Sequence, residues 1–75
     1  MNFDKELDVR GLNCPMPILK TKKTLGDMAA GAVLKIVATD PDTKKDFTAF
    51  SKQTGNEILF SSETGGEFIY FVKKK

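Results

Sequence analysis

The hydrophobic period of this chain switches from two residues to about 3.6 and back, twice over, within 75 residues, and then stays near two. That order commits a short chain to strands joined by helical crossovers, because strands that pair in parallel need a connection of a dozen or more residues. Leu7 and Val9 alternate with Asp8 and Arg10, which predicts a short half-buried strand ending at Gly11. A helix is expected from Pro15 to about Met28. Its core stripe is Ile18, Leu25 and Met28 with Thr21 and Ala29, and Lys20, Lys23 and Asp27 lie opposite. Ala30-Gly31 breaks that helix, and the β-rich run 32–39 predicts a central strand.

Asp40-Pro41-Asp42-Thr43 then reads as an N-cap, a proline at the first helical position and acid in the first turn. The second helix is expected to run to Thr54, stop at Gly55 and face inward with Phe47 and Phe50, with Thr43, Ser51 and Thr54 alongside. Strands at 56–61 and 67–72 flank a loop containing Gly65-Gly66, a hairpin signature. The order β-α-β-α-β-β most simply makes a two-layer α/β (α+β) sandwich, with both helices on one face of a four-stranded mixed sheet. The last strand is apolar on both sides, Phe68, Tyr70 and Val72 against Ile69 and Phe71, so the outer face calls either for a covering segment or for a docking partner. The terminal Lys73-Lys74-Lys75 is expected to be a solvated tail.

Composition closes off several functions. Seventy-five residues make one domain, 1–75, of a size at which folding buries only about 60% of the unfolded surface. One cysteine and no histidine supply neither an internal disulfide, nor a structural zinc site, nor a Cys–His catalytic pair. Acids stand near the amino terminus where a signal peptide would be apolar, and no apolar run approaches the roughly 20 residues of a membrane span. A soluble, cytoplasmic protein is expected, in a reducing compartment that suits an unpaired thiol. The net charge of +2 is too small to signal nucleic-acid binding.

The remaining chemistry concentrates at Cys14, in the run Leu12-Asn13-Cys14-Pro15-Met16-Pro17 where strand gives way to helix. A lone cysteine is more often a small buried hydrophobe than a nucleophile. Here, however, Pro15 suits the first helical position, which puts Cys14 at or next to the N-cap. Pro15 and Pro17 lack N–H groups, so those of Met16 and Ile18 are left to face an anion there, and the expectation is a thiol pKa below that of free cysteine. Met16 and Leu19 fall off the core stripe within a turn of the thiol. Together with Leu12, Lys20 and Lys23 they are the candidate docking residues. Lys20, Lys22 and Lys23 read equally well as a solvated helix face, and Asp8 and Arg10 as a surface charge pair.

The stretch from Leu7 to Pro17 resembles the signature of the TusA/SirA-like family of small sulfur carriers, Cys-Pro-x-Pro after a first strand. The likeness covers nearly the whole chain, and Asp40-Pro41 and Asp46 are similar to the family pattern. It implies that Cys14 receives sulfane sulfur as a persulfide from a cysteine desulfurase or rhodanese-like donor and relays it to an acceptor protein thiol. The end products in such families are tRNA 2-thiouridine, sulfur oxidation or molybdenum-cofactor supply. No resident cofactor or metal is implied, since any pyridoxal phosphate belongs to the donor. The residue between the prolines is apolar Met16, where the best-known tRNA-pathway member has an acid. Two rival readings are a redox-sensing interaction module that uses the outer sheet face and an RNA-binding module. The second lacks any motif of glycine and aromatic residues of the RNP type, so tight nucleic-acid binding is not expected.

Overall fold

A computed structural model, which describes residues 2–75, contains β1 (Lys5–Val9), α1 (Met16–Gly26), β2 (Val33–Ala38), α2 (Thr43–Thr54), β3 (Glu57–Thr64) and β4 (Glu67–Lys73). The sheet order is β1-β2-β4-β3. β1 and β2 are parallel, joined by α1 as their crossover, and the other two pairings are antiparallel. This is the four-stranded mixed sheet with two helices expected from the order of periods. Leu25 of α1 and Phe47 and Phe50 of α2 pack on the inward row Val9, Leu34, Ile36, Ala38, Phe68, Tyr70 and Val72. Both helices therefore share one face of the sheet. Phe47 is the pivot, stacked on Tyr70 at 4.5 Å and edge-on to Phe50 at 6.4 Å. Gly65 and Gly66 form the β3–β4 turn with φ of +58° and +82°, the left-handed pair that a two-residue hairpin loop requires.

Element ends differ from the sequence reading. α1 begins at Met16 and stops at Gly26, short of Met28. The N–H groups of Asp27 and Met28 turn back three residues, to Thr24 and Leu25, which tightens and ends the helix. Ala29 is left exposed, whereas Met28 still reaches the core. α2 begins at Thr43 with Asp42 at its N-cap, because Asp40 and Pro41 make a preceding turn. In that turn the Asp40 carboxylate accepts the Asp42 N–H at 3.0 Å, and its carbonyl accepts the Thr43 N–H and hydroxyl. Gly55, at φ +79°, ends α2 as expected, its N–H bonded to the Ser51 carbonyl. The carboxyl end is not a free tail. The Lys74 N–H bonds to the Ala32 carbonyl and the Lys75 N–H to Asn56 Oδ1.

The outer sheet face is partly covered by the chain's own amino-terminal segment. Phe3 and Phe60 each lie 6.1 Å from Phe71, which is only 8% exposed, and Lys35 Nζ sits 5.4 Å above the Phe3 ring. Beside this cluster Arg10 bridges Asp8 at 3.0 Å and Glu67 at 3.3 Å, and Lys35 pairs with Glu6. Asp8 and Arg10 are thus a surface pair with a third member. Arg10 holds the Asp8 carboxyl down to about 2. Among the described residues no helix is long and apolar enough to cross a membrane.

Candidate functional site around Cys14

Parallel pairing aligns Val9 with Ala38, so the chain leaves both strands at the same edge of the sheet and the loops that follow must run side by side. The first loop carries Cys14 and the second carries Asp40. They are tied together twice: the Gly11 N–H donates to Thr39 Oγ1 and the Cys14 N–H donates to Asp40 Oδ2, both at 2.8 Å. Since the other oxygen of Asp40 takes the Asp42 N–H, one carboxylate fixes the cysteine loop against the start of α2. Gly11 makes the turn at φ +80°, a conformation that side chains other than glycine rarely adopt.

Pro15 occupies the N-cap, with φ −96° and ψ 10°, rather than the first helical position, and the Cys14–Pro15 peptide is cis. Cys14 is therefore one residue ahead of the cap, exposed and unpaired. Of the two N–H groups expected to face its sulfur, that of Met16 is already bonded to the Asn13 carbonyl at 2.9 Å. Pro17 is fully buried, and Ile18 is half-buried against the core. Leu12 is also half-buried and packs on the core, so of the candidate docking residues it presents the least free surface. Met16 and Leu19 are 41% and 50% exposed, and Lys20 and Lys23 stand in solvent.

The expected lowering of the thiol pKa is overturned. The Cys14 thiol is pushed above its ordinary range, first by its hydrogen bond to the Asp46 carboxylate, then by partial desolvation, and then by the charges of Asp46, Asp40 and Asp42. Negative charge and an acceptor beside the sulfur both favour the protonated form. The cysteine loop itself holds no acid. The three carboxylates arrive from the loop after β2 and the first turn of α2. The signal that could have found them is the parallel β1–β2 pairing, which obliges those segments to meet.

Cys14 and Asp46 open into one groove of about 240 Å³ between the helices, lined also by Pro15, Ile18, Ala49, Phe50 and Gln53. Its walls are mostly apolar, with Asp46 the one acid among them. No group of three or more His, Cys, Asp or Glu side chains placed to hold a metal occurs among the described residues. The arrangement can present one thiol, and whatever that thiol carries, to a partner's reactive atom, with a carboxylate alongside.

Residues 5–74 match the family model described as Sulfurtransferase TusA. The chain is 59% identical over 73 residues to a protein of Allochromatium vinosum named Sulfur carrier protein TusA, a match covering 97% of this chain and 96% of that one. It is 43% identical over 72 residues to the protein of the same name from Pseudomonas entomophila, covering 96% and 90%. In three dimensions it is similar to the crystal structure of a SirA-like protein from Desulfitobacterium hafniense, with a TM-score of 0.81 over 93% of this chain and 96% of that one. At 18% identity this last likeness speaks for the fold. The match along nearly the whole sequence, and not only at the cysteine motif, makes this chain a member of the TusA sulfurtransferase family.

Proposed function

We propose that the protein is a sulfur carrier: Cys14 accepts sulfane sulfur as a persulfide from a cysteine desulfurase or rhodanese-like donor and passes it to the thiol of an acceptor protein. The observation that carries this reading is the exposure of the chain's one cysteine on a loop pinned at Gly11 and Cys14, in a chain of this family. Transfer is an attack of the Cys14 thiolate on the outer sulfur of the donor persulfide. A new S–S bond forms at Cys14, the donor sulfur leaves as thiolate, and no net oxidation occurs. The acceptor repeats the same step on the loaded carrier. With no second cysteine in the chain, no internal thiol can intercept the persulfide and release it as sulfide.

Exposed Met16 and Leu19, with Lys20 and Lys23, form the surface a partner meets next to the thiol. The sulfur is destined for tRNA 2-thiouridine or for dissimilatory sulfur oxidation, and the work is done in the cytoplasm without a resident cofactor. Intact-mass spectrometry after incubation with a cysteine desulfurase and cysteine tests the reading. Wild type gains one reductant-sensitive sulfur. Cys14→Ser stays folded, because the side chain is exposed and the N–H to Asp40 is kept, but it gains none. A wild-type chain that never loads, or a serine variant that loads equally, overturns it.

A further inference from the structure

Resting on the carrier reading, we infer that Asp46 keeps the Cys14 persulfide protonated, and so keeps its outer sulfur electrophilic and ready to be given away. The observation is a juxtaposition. Asp46, from the first turn of α2, and Cys14 line the same groove, whose other walls include Pro15, Ile18 and Phe50. A sulfane sulfur takes the place of the thiol proton on Sγ, in the groove that Asp46 also lines. The added atom enters the space that the carboxylate faces. Its own S–H becomes the donor.

The protonation state decides the direction of reactivity. The outer S–H of a persulfide is more acidic than a thiol, because the charge is shared with a second sulfur. Once ionised, it repels an incoming thiolate. When protonated, it accepts attack: the Sγ–S bond breaks, a bond from the acceptor sulfur to the transferred sulfur forms, the proton stays on the transferred atom, and Cys14 leaves as thiolate. No electron is gained or lost overall. The charged groups that act on the sulfur are all acids, Asp46 from α2 and Asp40 and Asp42 from the loop before it. Each favours the neutral persulfide, but Asp46 is the one acid that lines the groove with Cys14. Asp40 is already committed to two backbone N–H groups.

The same acid hinders loading, since it also disfavours the Cys14 thiolate that must attack the donor. Asp46→Asn therefore shifts the two halves of the cycle in opposite senses. At a pH above the persulfide midpoint the protonated fraction changes about tenfold per pKa unit. The leaving ability of Cys14 improves by about threefold per unit, taking for the leaving thiol the same sensitivity of roughly 0.4–0.5 that holds for the attacking one. Above that midpoint protonation wins, and discharge slows by about threefold for each unit that the midpoint falls.

The test loads wild type, Asp46→Asn and Asp46→Glu with inorganic polysulfide, titrates the near-ultraviolet absorbance of the persulfide anion, and follows discharge to N-acetylcysteine by intact mass. The expected result is a lower persulfide midpoint in Asp46→Asn with faster loading and slower discharge, whereas Asp46→Glu, which keeps the carboxylate, stays close to wild type in all three. A folded Asp46→Asn that loads but keeps the wild-type midpoint, or whose loading and discharge change in the same sense, overturns the inference and leaves the carrier role standing. A wild-type chain that takes no sulfur from polysulfide removes both.

Discussion

At Cys14 two fields compete. The start of α1 favours a thiolate, but its effect fades within a turn, Cys14 lies one residue outside the cap, and the Met16 N–H is spent on Asn13. The Asp46 carboxylate lines the same groove as the sulfur, and the charges of Asp46, Asp40 and Asp42 all raise the thiol pKa. The acids win. Iodoacetamide alkylation of the wild type should therefore show a pH midpoint above that of a free thiol. Asp46→Asn should move it down, because removing a negative acceptor releases the proton more readily. An Asn variant with the same or a higher midpoint would contradict this. Met16 and Leu19 are next to the thiol and outside the core. Replacing either with Asp should weaken partner binding by about 1–2 kcal/mol while leaving the melting temperature unchanged, which titration calorimetry and thermal unfolding report separately.

The order of the elements was legible in the sequence because each carries its own period and its own stop signals, Gly11 after β1, Gly31 before β2 and Gly55 after α2. Their meeting points were not legible. Nothing local to Asp40 says that its two oxygens will hold the Cys14 and Asp42 amides, a contact spanning 26 residues that exists only because β1 and β2 end side by side. For the same reason the sequence singles out Cys14 but implies the opposite sign for its pKa shift. Sequence shows the helix that follows the cysteine, whereas the acids belong to another element. Asp40→Ala should cost on the order of 2 kcal/mol, since it removes a charged acceptor from two amides. Urea unfolding measures that loss. Hydrogen exchange should quicken first at the Cys14 and Asp42 amides, and equal protection there in the variant would show that the bridge contributes little.

For the molecule as a whole, the site is only as well defined as the packing of α2 on the sheet. A chain of 75 residues has roughly 4–11 kcal/mol of stability to lose, at about 0.05–0.15 kcal/mol per residue. Phe47 is fully buried and stacks on Tyr70, whose hydroxyl lies 3.0 Å from that of Thr43 at the start of the same helix. Truncating it to Ala should cost about 3–5 kcal/mol, a large part of the total. Phe60 on the outer face is 50% exposed, its ring 6.1 Å from that of Phe71, so Phe60→Ala should cost far less, on the order of 1 kcal/mol. The two aromatics thus separate the fold from the surface. Because α2 also carries Asp46, loosening it should lower the Cys14 alkylation midpoint toward the free value in Phe47→Ala at temperatures where the chain is still mostly folded, whereas Phe60→Ala should leave that midpoint in place. Paired thermal unfolding and alkylation profiles decide the matter. Equal losses of stability in the two variants would refute this division of the molecule, and an unmoved midpoint in a destabilised Phe47→Ala would show that the acid is held at the thiol by its loop alone.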